Sequence, residues 1–522
     1  MTALISLIFC LCVSLYTCHG YRALVVFPMP SRSHGILGDG IVRHLLKDGN
    51  QVVYIRSFEY KNASSTLRQI DVSANAGAMP MDSLNLTKLL EKSTDMGDRN
   101  MIHKTMMSLL VKTLEDKEVH NLLSDPNEHF DVVIVEWMFS DLLSGLAAVF
   151  NCPLIWMSPI EVNSATLKLI DEMPNPAYNT DILSSNTVPM TFQQRVEELW
   201  TQLKLAYLDY MYFDKSQAEA YDKFIAPYIL KRGRKPPSFH EVKYNGSLLI
   251  GNSHVSLGDA KRLPQSYKSI GGYHIEENVK PLPQDLKNIM DSAKHGVIYF
   301  SMGSNLKSKD WPKQIKENLL KMFGELKQTV LWKFEEDLPN VPKNVHILKW
   351  APQPGILSHP NLLLFISHGG LLSTTETIHY GVPIIGIPVF GDQFINVRRA
   401  VKKGFALKVD LSYGVADDLR IAIKEALSNP TYKQRVKQLS YIYHDRPVKP
   451  GQELTHWVRH VVNTQGAFHL RSAAVDIPLY QRMFLDLVAV ILVALFFVSK
   501  LLRLVWAMIC AKKGVDNKKK IN

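Results

Sequence analysis

Cysteine is scarce in this chain and poorly placed for disulfide bonds. Three of the five cysteines precede Tyr21, and Cys510 lies at the far end of an apolar run near the C-terminus. Cys152 is therefore the only cysteine in the body of the chain, which excludes an intrachain disulfide there. The fold must depend on packed apolar cores instead.

The chain also lacks the basic motif of a nucleic-acid-binding module. Its net charge is +11, but lysine and arginine are scattered, with local clusters at Lys231–Lys235 and at the C-terminus. We therefore expect no nucleic-acid partner. With 522 residues, of which 46% are hydrophobic and 21% charged, the chain is long enough for two globular domains with appendages.

The first of two long apolar runs lies at the N-terminus. Leu4–Tyr16 has the length of a signal-peptide core, and small residues follow it before Tyr21. The run predicts a signal peptide over residues 1–20. No lysine or arginine precedes it, and an N-terminal membrane anchor is the alternative.

The second apolar run predicts a transmembrane helix over residues 485–505. The basic tail that follows, residues 506–522, places the C-terminus in the cytosol by the positive-inside rule. Lys519 and Lys520 resemble a dilysine signal for retrieval to the endoplasmic reticulum. The prediction is a single-pass type I protein of that membrane, with its body in the lumen. Three sequons for lumenal glycosylation begin at Asn62, Asn85 and Asn245.

One stretch, from Trp350 to Asn396, organises the C-terminal half. Within it, Leu362–Ile366 predicts a buried strand, Gly369 and Gly370 a turn, and Leu371–Tyr380 a helix. A strand that ends in a glycine turn before a helix leaves backbone N–H groups free at the positive end of the helix dipole. Phosphate binds at such positions.

Polar side chains follow this turn. Ser373 and Thr374 add hydroxyl groups in the first turn of the helix, and Glu376 lies one turn beyond Ser373. A carboxylate at that position is placed to bind a pair of sugar hydroxyl groups. A glycine pair after a strand can also serve tight packing alone, so the turn by itself does not establish a ligand site.

The whole stretch resembles the signature sequence of the UDP-glycosyltransferase family, and most closely that of the membrane-anchored insect UDP-glucosyltransferases. So many ordered matches within one segment are not expected by chance. The matching residues are Trp350, Pro352, Gln353, His359, Pro360, Ser367, His368, Gly369, Gly370, Glu376, Gly381, Val382, Pro383, Pro388, Asp392 and Gln393.

The N-terminal half begins with a strand, a loop, a helix and a second strand. Tyr21–Phe27 predicts the first strand, Ile36–Leu46 the helix and Gln51–Ile55 the second strand. This order favours a doubly wound parallel sheet, whose ligands bind beyond the carboxyl ends of the strands. His34 lies in the loop between Phe27 and the helix. A histidine there can cap the helix, but the family resemblance implies that it is a general base.

A base histidine requires an acid partner that fixes its tautomer and stabilises the imidazolium. The family supplies this acid from a later strand and its loop, here the strand Phe130–Glu136 and the residues after it. Two candidates lie there. We favour Asp141 as the partner of His34, and Glu136 is the other candidate. Either acid can instead cap a helix or face water at the end of the strand.

A second unit of the same kind follows. Gly296–Ser304 predicts a strand that ends in a small-residue turn, where Ser301 and Ser304 are candidate phosphate contacts. A plain tight turn is the alternative. The predicted domains are an N-terminal acceptor-binding domain (residues 21–275), a C-terminal donor-binding domain (residues 276–465) and a juxtamembrane segment (residues 466–484).

The region from Pro153 to Tyr244 is less informative. It is rich in aromatic residues, including those of a long helical stretch over Phe192–Tyr221. Such a region could line an apolar acceptor pocket. Residue by residue, however, burial in an ordinary core is the better interpretation, and no acceptor-binding residue is assigned.

The resemblance implies an α/β protein of GT-B architecture, with two Rossmann-like doubly wound domains facing a cleft and a C-terminal transmembrane helix. It implies an inverting transfer of a hexose, expected to be glucose, from a UDP-sugar to a small lipophilic acceptor. Detoxification or metabolite conjugation is the expected role. A homo-oligomer is compatible with the sequence.

The resemblance also implies roles for individual residues. Trp350 would stack on uracil, Gln353 would contact the ribose or base, and Glu376 would bind the ribose hydroxyl groups. Asp392 and Gln393 would bind the hexose, although Asp392 can instead cap a helix. The groups placed to receive the charge of the diphosphate are His368, Gly369, Gly370, Ser373 and Thr374.

We expect neither a metal nor a cofactor, because the UDP-sugar is a co-substrate and the sequence contains no Asp-x-Asp motif of the kind that metal-dependent transferases use. A membrane-anchored protein that binds UDP-sugars without catalysis is the alternative function. An epimerase on the same fold is a more distant one.

Overall fold

The computed structural model describes residues 20–79, 86–91, 97–184 and 186–519. The predicted signal peptide, the Asn85 sequon and the dilysine end lie wholly or partly outside these residues. The described chain divides into one unit that ends at Arg471 and a second that begins at Ser472.

The first sheet is built from apolar strands that are buried on both faces. Because both faces are covered, their sequences are continuous runs such as ALVVF and VVIV rather than alternating patterns. The strands are β1 (Arg22–Phe27), β2 (Gln51–Arg56), β3 (Leu67–Asp71), β4 (Val132–Glu136), β5 (Leu154–Ser158), β6 (Gly246–Gly251) and β7 (Tyr267–Ser269). All pairings are parallel, in the order β3-β2-β1-β4-β5-β6-β7. The order reverses between β1 and β4.

Helices cover both faces of this sheet. The helices of this part of the chain are α1 (Arg32–Lys47), α2 (Leu86–Leu90), α3 (Arg99–Glu115), α4 (Lys117–Ser124), α5 (Gly145–Phe150), α6 (Ser164–Leu167), α7 (Phe192–Leu208), α8 (Asp214–Phe224), α9 (Ala226–Lys231) and α10 (Phe239–Lys243). The short helix α2 packs instead against the core of the second domain, which contains Leu86. Helix α1 begins four residues before the predicted start, so His34 lies in its first turn rather than in the preceding loop.

The aromatic residues of α7 and the π-helical turn after it differ from expectation. Trp200 is 68% exposed and Tyr210 is 80% exposed, and Phe192, Tyr207 and Tyr212 are exposed as well. The prediction of an ordinary core is therefore wrong for these residues. The helical stretch itself is predicted correctly, but a helical pattern alone does not tell a buried face from an exposed one.

The second sheet repeats the first in its topology. Its strands are β8 (Val297–Ser301), β9 (Thr329–Lys333), β10 (Val345–Leu348), β11 (Leu362–Ser367), β12 (Ile384–Gly386) and β13 (Ala406–Lys408), and its helices are α11 (Gln284–Asp291), α12 (Lys313–Gly324), α13 (Gln353–Leu357), α14 (Leu371–Tyr380), α15 (Gln393–Lys402), α16 (Val415–Ser428), α17 (Thr431–His444) and α18 (Pro450–Asn463). The parallel order β10-β9-β8-β11-β12-β13 reverses between β8 and β11. The two sheets confirm the predicted pair of doubly wound domains.

Helix α18 returns to the N-terminal domain. Its apolar residues Leu454, Val458 and Val461 belong to the same buried cluster as the strands around β1. Arg459 of this helix forms an ion pair with Asp48, which follows α1. The last helix of the second domain therefore holds the two domains together.

The C-terminal unit contains a short helix, α19 (Leu479–Arg482), and a long one, α20 (Leu485–Lys519). Residues Leu485–Ala511 of α20 have a mean hydropathy of 2.5 and are long enough to cross a membrane. In the described part of the chain this is the one helix that meets those criteria. The candidate span begins where predicted but continues beyond residue 505.

Candidate functional site

The candidate site lies where the order of each sheet reverses. Residues after β1 of the first domain face residues after β8 and β12 of the second, since Ser31 contacts Asn305 and His34 senses the charge of Asp392. The crevice outside the carboxyl ends of the strands at such a switch point is the usual ligand position in open α/β sheets.

The first-domain side of this site contains a histidine–carboxylate pair. His34 Nδ1 is hydrogen-bonded to Oε1 of Glu136, the last residue of β4. The Glu136 side chain is fully buried, and that of His34 is 15% exposed. Because a carboxylate only accepts hydrogen bonds, the neutral form of the ring carries its proton on Nδ1 and keeps the lone pair of Nε2 free.

Burial of the imidazole lowers the pKa of His34, but the charge and hydrogen bond of Glu136 outweigh burial, and the carboxylate of Asp392 adds to their effect. The pKa of His34 therefore lies above its usual value. Asp392 belongs to the second domain, so the two domains contribute groups to the same site.

The prediction that Asp141 is the partner of His34 is wrong, because His34 is hydrogen-bonded to Glu136. The indole of Trp137 donates to Asp141 Oδ1 at 2.9 Å, and Lys243 Nζ lies 3.1 Å from Oδ2. Burial raises the pKa of Asp141, but Lys243, Lys168 and the Trp137 indole together outweigh burial and hold it below the usual value. Asp141 is thus part of a buried ion pair beneath the site. The chain turns away after β4, with Phe139 at a φ of 51°, and leaves Glu136 alone beside His34.

Two contacts join the loops on either side of the crevice. Ser31 Oγ donates to Asn305 Oδ1 at 2.9 Å, which ties the start of α1 to the loop after β8. The guanidinium of Arg32 lies 5.9 Å from the centre of the Trp350 ring. Trp350 is 62% exposed, so its ring remains accessible for stacking.

Three predicted residues of the second domain form one hydrogen-bond network. Gln353 Nε2 donates to Ser373 Oγ at 3.1 Å and to Glu376 Oε2 at 2.6 Å. The Tyr299 hydroxyl donates to Gln353 Oε1 at 3.3 Å. Burial raises the pKa of Glu376 to about 7, although the bond from Gln353 lowers it in part. The structure thus brings Gln353, Ser373 and Glu376 together around a carboxyl group of unusually high pKa.

The glycine turn encloses the ring of His368. A Cβ on Gly303, whose φ is +82°, would lie 2.5 Å from His368 Cε1, and a Cβ on Gly370 would lie 2.6 Å from its Nε2. Both positions therefore require glycine. Gly369 has a φ of +80° in the same turn. Burial, with a contribution from Lys333, lowers the pKa of His368 to about 4, so the ring is neutral at physiological pH.

The hydroxyl groups of Ser301, Ser304 and Thr374 differ in exposure and in the hydrogen bonds that they already make. Ser301 Oγ accepts a hydrogen bond from Gly303 N–H at 3.2 Å and is buried, whereas Ser304 is exposed. Thr374 is buried, and its hydroxyl donates to the Gly370 carbonyl at 2.9 Å. That hydroxyl proton is committed to the helix, so the expectation that Thr374 supplies a donor to the diphosphate is not supported.

Asp392 and Gln393 lie at the start of α15. Gln393 Oε1 accepts from the backbone N–H groups of Val389 and Phe390 at 2.9 and 3.2 Å, which orients the amide. Asp392 occupies the N-cap position but makes no capping hydrogen bond. Asn396 Nδ2 instead donates to Asp392 Oδ2 at 2.8 Å. Burial raises the pKa of Asp392.

Sequence reasoning missed several residues of this arrangement. Tyr299 orients Gln353, Asn396 orients Asp392, and Asn305 joins the two domains. A sequence signal existed for Asn396, because it lies four residues after Asp392 and therefore on the same face of a predicted helix. Tyr299 lies two residues before Ser301 in a strand, so the two share a face of the sheet.

Comparison with known proteins agrees with this geometry. The sequence model described as "UDP-glucoronosyl and UDP-glucosyl transferase" matches residues 23–521. The chain is 33% identical over 485 residues to UDP-glucosyltransferase 2 of Dactylopius coccus, covering 92% of each chain. It is 33% identical over 351 residues to UDP-glucuronosyltransferase 2B13 of Oryctolagus cuniculus, covering 66% of this chain and 64% of the relative.

A solved structure is similar in fold. The crystal structure of CalG4, the calicheamicin glycosyltransferase, superposes with a TM-score of 0.56 at 14% identity, covering 85% of this chain and 99% of CalG4. The fold is therefore that of the GT-B glycosyltransferases.

Proposed function

The chain belongs to the UDP-glucoronosyl and UDP-glucosyl transferase family and is a glycosyltransferase, and we propose that it moves glucose, with inversion, from UDP-glucose to a hydroxyl group of a small lipophilic acceptor. The single observation that carries the proposal is the His34–Glu136 pair facing Asp392 across the crevice. In this proposal His34 is the base and Asp392 a sugar-binding acid, and the two lie on opposite sides of the crevice.

His34 is the general base in this proposal. Its Nε2 takes the acceptor hydroxyl proton while the hydroxyl oxygen bonds to the anomeric carbon from the face opposite UDP. The bond from that carbon to the diphosphate oxygen breaks, and UDP leaves with the electron pair. Glu136 holds the ring through Nδ1 and stabilises the imidazolium that forms.

The second domain binds the donor. Trp350 stacks on uracil, Gln353 and Glu376 contact the ribose, and Asp392 and Gln393 contact the hexose. These assignments are supported by the exposure of Trp350, the hydrogen bonds that join Gln353 to Glu376, and the fixed orientation of the Gln393 amide.

Negative charge builds on the diphosphate as it departs. The N-terminus of α14, the backbone N–H groups near Gly369 and Gly370, and the hydroxyl of Ser373 stabilise that charge. His368 acts as a neutral hydrogen-bond donor rather than as a cation, because its pKa is about 4. Ser301 and Ser304 line the neighbouring turn. No step requires a metal.

The choice of glucose is supported by the extent of similarity. UDP-glucosyltransferase 2 matches over 92% of both chains, whereas the glucuronosyltransferase relative matches over 66% of this chain. The C-terminal helix is a candidate membrane anchor. We further propose that it anchors the protein in the endoplasmic reticulum membrane with the catalytic domains in the lumen, where they conjugate lipophilic compounds for detoxification.

A donor panel tests this function. The full-length protein in detergent is incubated with UDP-glucose, UDP-glucuronate, UDP-galactose or UDP-N-acetylglucosamine and a mixture of phenols and sterols. Released UDP and glycoside mass are measured. Glucoside from UDP-glucose alone supports the proposal, and product from another donor corrects the sugar. UDP binding without product from any pair favours the non-catalytic binding protein.

A further inference from the structure

A buried histidine without a hydrogen-bond partner lies beside the hydrogen-bond network of Gln353, Ser373 and Glu376. His274 follows β7 in the segment that joins the two domains, and its side chain is 1% exposed. In the described part of the chain, neither Nδ1 nor Nε2 has a hydrogen-bond partner. Burying an unpaired ring nitrogen costs stability. An apolar side chain of similar size would avoid that cost, so the ring is expected to have a function.

The first domain fixes the position of this segment. Arg43 Nη2 of α1 donates to the carbonyl groups of Tyr273 and His274, at 3.0 and 3.2 Å. His44 Nε2 is hydrogen-bonded to the Tyr273 carbonyl at 2.9 Å. Close packing at Gly40 adds to this restraint, because a Cβ there would lie 3.1 Å from His274 Cα. The same helix carries His34 in its first turn, so His274 is held relative to the proposed base.

His274 faces the carboxyl group that the proposed function places against the ribose. Its Nε2 lies 3.8 Å from Glu376 Oε1, whereas Glu376 Oε2 already accepts from Gln353. A shift of about 1 Å would bring the first pair to hydrogen-bond distance. Such a contact would leave both carboxylate oxygens oriented, one by each domain.

We infer that His274 is a positioning residue for the donor nucleotide, whose Nε2–H holds Oε1 of Glu376 in the orientation that accepts hydrogen bonds from the ribose diol. The inference rests on the proposed function, because it explains how a residue of that ribose site is held. It assigns the segment between the domains an indirect part in binding the nucleotide, through the orientation of Glu376.

The surroundings of the pair are compatible with this role. Burial, with contributions from Arg43 and His379, lowers the pKa of His274 to about 3, so the ring is neutral and one nitrogen carries a proton. Three tyrosines on the elements packed around Glu376 are close enough for its charge to add to burial in raising their pKa values: Tyr299 of β8, Tyr380 of α14 and Tyr443 of α17. All three are therefore uncharged.

The test compares two substitutions of His274 in the full-length protein. His274→Leu removes the donor, and His274→Gln keeps an N–H at similar reach. His379→Leu is the matched control, because His379 lies on the same helix as Glu376 and has an unpartnered buried Nδ1. The dissociation constants of UDP and of 2′,3′-dideoxy-UDP are measured by calorimetry.

We expect His274→Leu to weaken UDP binding by about tenfold while changing the binding of 2′,3′-dideoxy-UDP by less than about twofold, since the lost interaction acts through the diol. His274→Gln should keep most of the preference for UDP, and His379→Leu should keep all of it. Thermal unfolding should show no loss of stability in His274→Leu, because the replaced ring has no partner.

A pH series separates positioning from a purely structural role. Glu376 accepts from the diol when ionised, so UDP affinity should fall as the pH drops below about 7. A hydrogen bond from His274 favours the ionised carboxylate. Its removal raises the pKa of Glu376, so the midpoint of the fall in UDP affinity should move to higher pH in His274→Leu.

Two results would overturn the inference in favour of a structural role. One is an equal loss of affinity for UDP and for 2′,3′-dideoxy-UDP in His274→Leu. The other is an unchanged midpoint in the pH dependence of UDP affinity, with His274→Leu and His274→Gln equally impaired. Glu376→Gln distinguishes failure of the proposed ribose site from failure of the role of His274. If it retains full preference for UDP, the proposed ribose site is itself wrong. If it loses that preference while His274→Leu does not, only the role of His274 is wrong.

Discussion

His34 Nδ1 donates its hydrogen bond to Glu136 Oε1, and the other oxygen of this buried carboxylate, Oε2, has no partner among the described residues. His34 lies in the first turn of α1, the helix after β1, and Glu136 ends the neighbouring parallel strand β4, at the point where the strand order reverses. Glu136 therefore has His34 as its one hydrogen-bond partner in the described chain, as expected of an acid that orients a base rather than one that stabilises the fold.

Substitution of the two candidate acids should separate catalysis from stability. Glu136→Gln should lower kcat by about 10²-fold to 10⁴-fold, because the amide no longer stabilises the imidazolium, and should change the melting temperature little. Asp141→Asn should instead cost about 1–3 kcal/mol of unfolding free energy, because Lys243 loses its buried partner and keeps Asp214, whose Oδ1 lies 2.6 Å from its Nζ, with kcat per folded molecule retained. Steady-state kinetics and thermal unfolding test both. A selective kcat loss in Asp141→Asn would restore Asp141 as the partner.

The pH profile should report the His34–Glu136 pair. A general base must be neutral, so kcat at saturating donor should rise with pH through the pKa of His34, which lies above its usual value of 6.5. Glu136→Gln removes the larger part of that elevation and leaves burial, which lowers the pKa, opposed only by the weaker effect of Asp392. The acidic limb of the residual activity should therefore move to lower pH. An unmoved limb would show that another group limits the rate.

Gly303→Ala should disturb the turn after β8 and the ring of His368 that packs against it. The added Cβ would lie 2.5 Å from His368 Cε1, so the ring must move. We expect KM for the UDP-sugar to rise on the order of tenfold or more. Gly233→Ala is the control, because its φ of +72° imposes similar backbone strain while its Cβ meets nothing within 4 Å. Both variants should lose some stability, but a comparable KM increase in Gly233→Ala would mean that strain alone explains the effect.

Trp350→Ala should weaken donor binding without unfolding the protein. The side chain is 62% exposed, so its removal costs little packing, whereas loss of stacking on a base costs about 1–3 kcal/mol. The dissociation constant of UDP should rise accordingly, and Trp350→Phe should restore part of the affinity. Unaltered UDP binding in Trp350→Ala would exclude stacking on uracil.

Much of this fold follows from local sequence. The continuous apolar runs of β1, β4, β8 and β11 predict buried parallel strands, and the turn at Gly369 and Gly370 predicts a helix N-terminus facing the ligand. These signals are local because strand burial and positive φ angles restrict the residue types at each position.

The details of the site depend on contacts that sequence spacing does not contain. Asp141 and Glu136 are both acids near the end of β4, and only the path of the chain through Phe139 decides which one meets His34. Tyr299 and His274 lie beside Gln353 and Glu376 only through tertiary packing between separate elements. The apolar face of α7 shows the same limit, since its pattern is identical whether it is buried or exposed.

The anomeric configuration of the product tests the central claim most directly. UDP-α-glucose labelled at the anomeric carbon is incubated with the full-length protein and a phenolic acceptor, and the product is followed by NMR. We expect a β-glucoside from the native chain, and no glucoside but unchanged UDP affinity from His34→Ala. An α-glucoside, or near-normal turnover in His34→Ala, would contradict a mechanism in which His34 activates the acceptor opposite UDP.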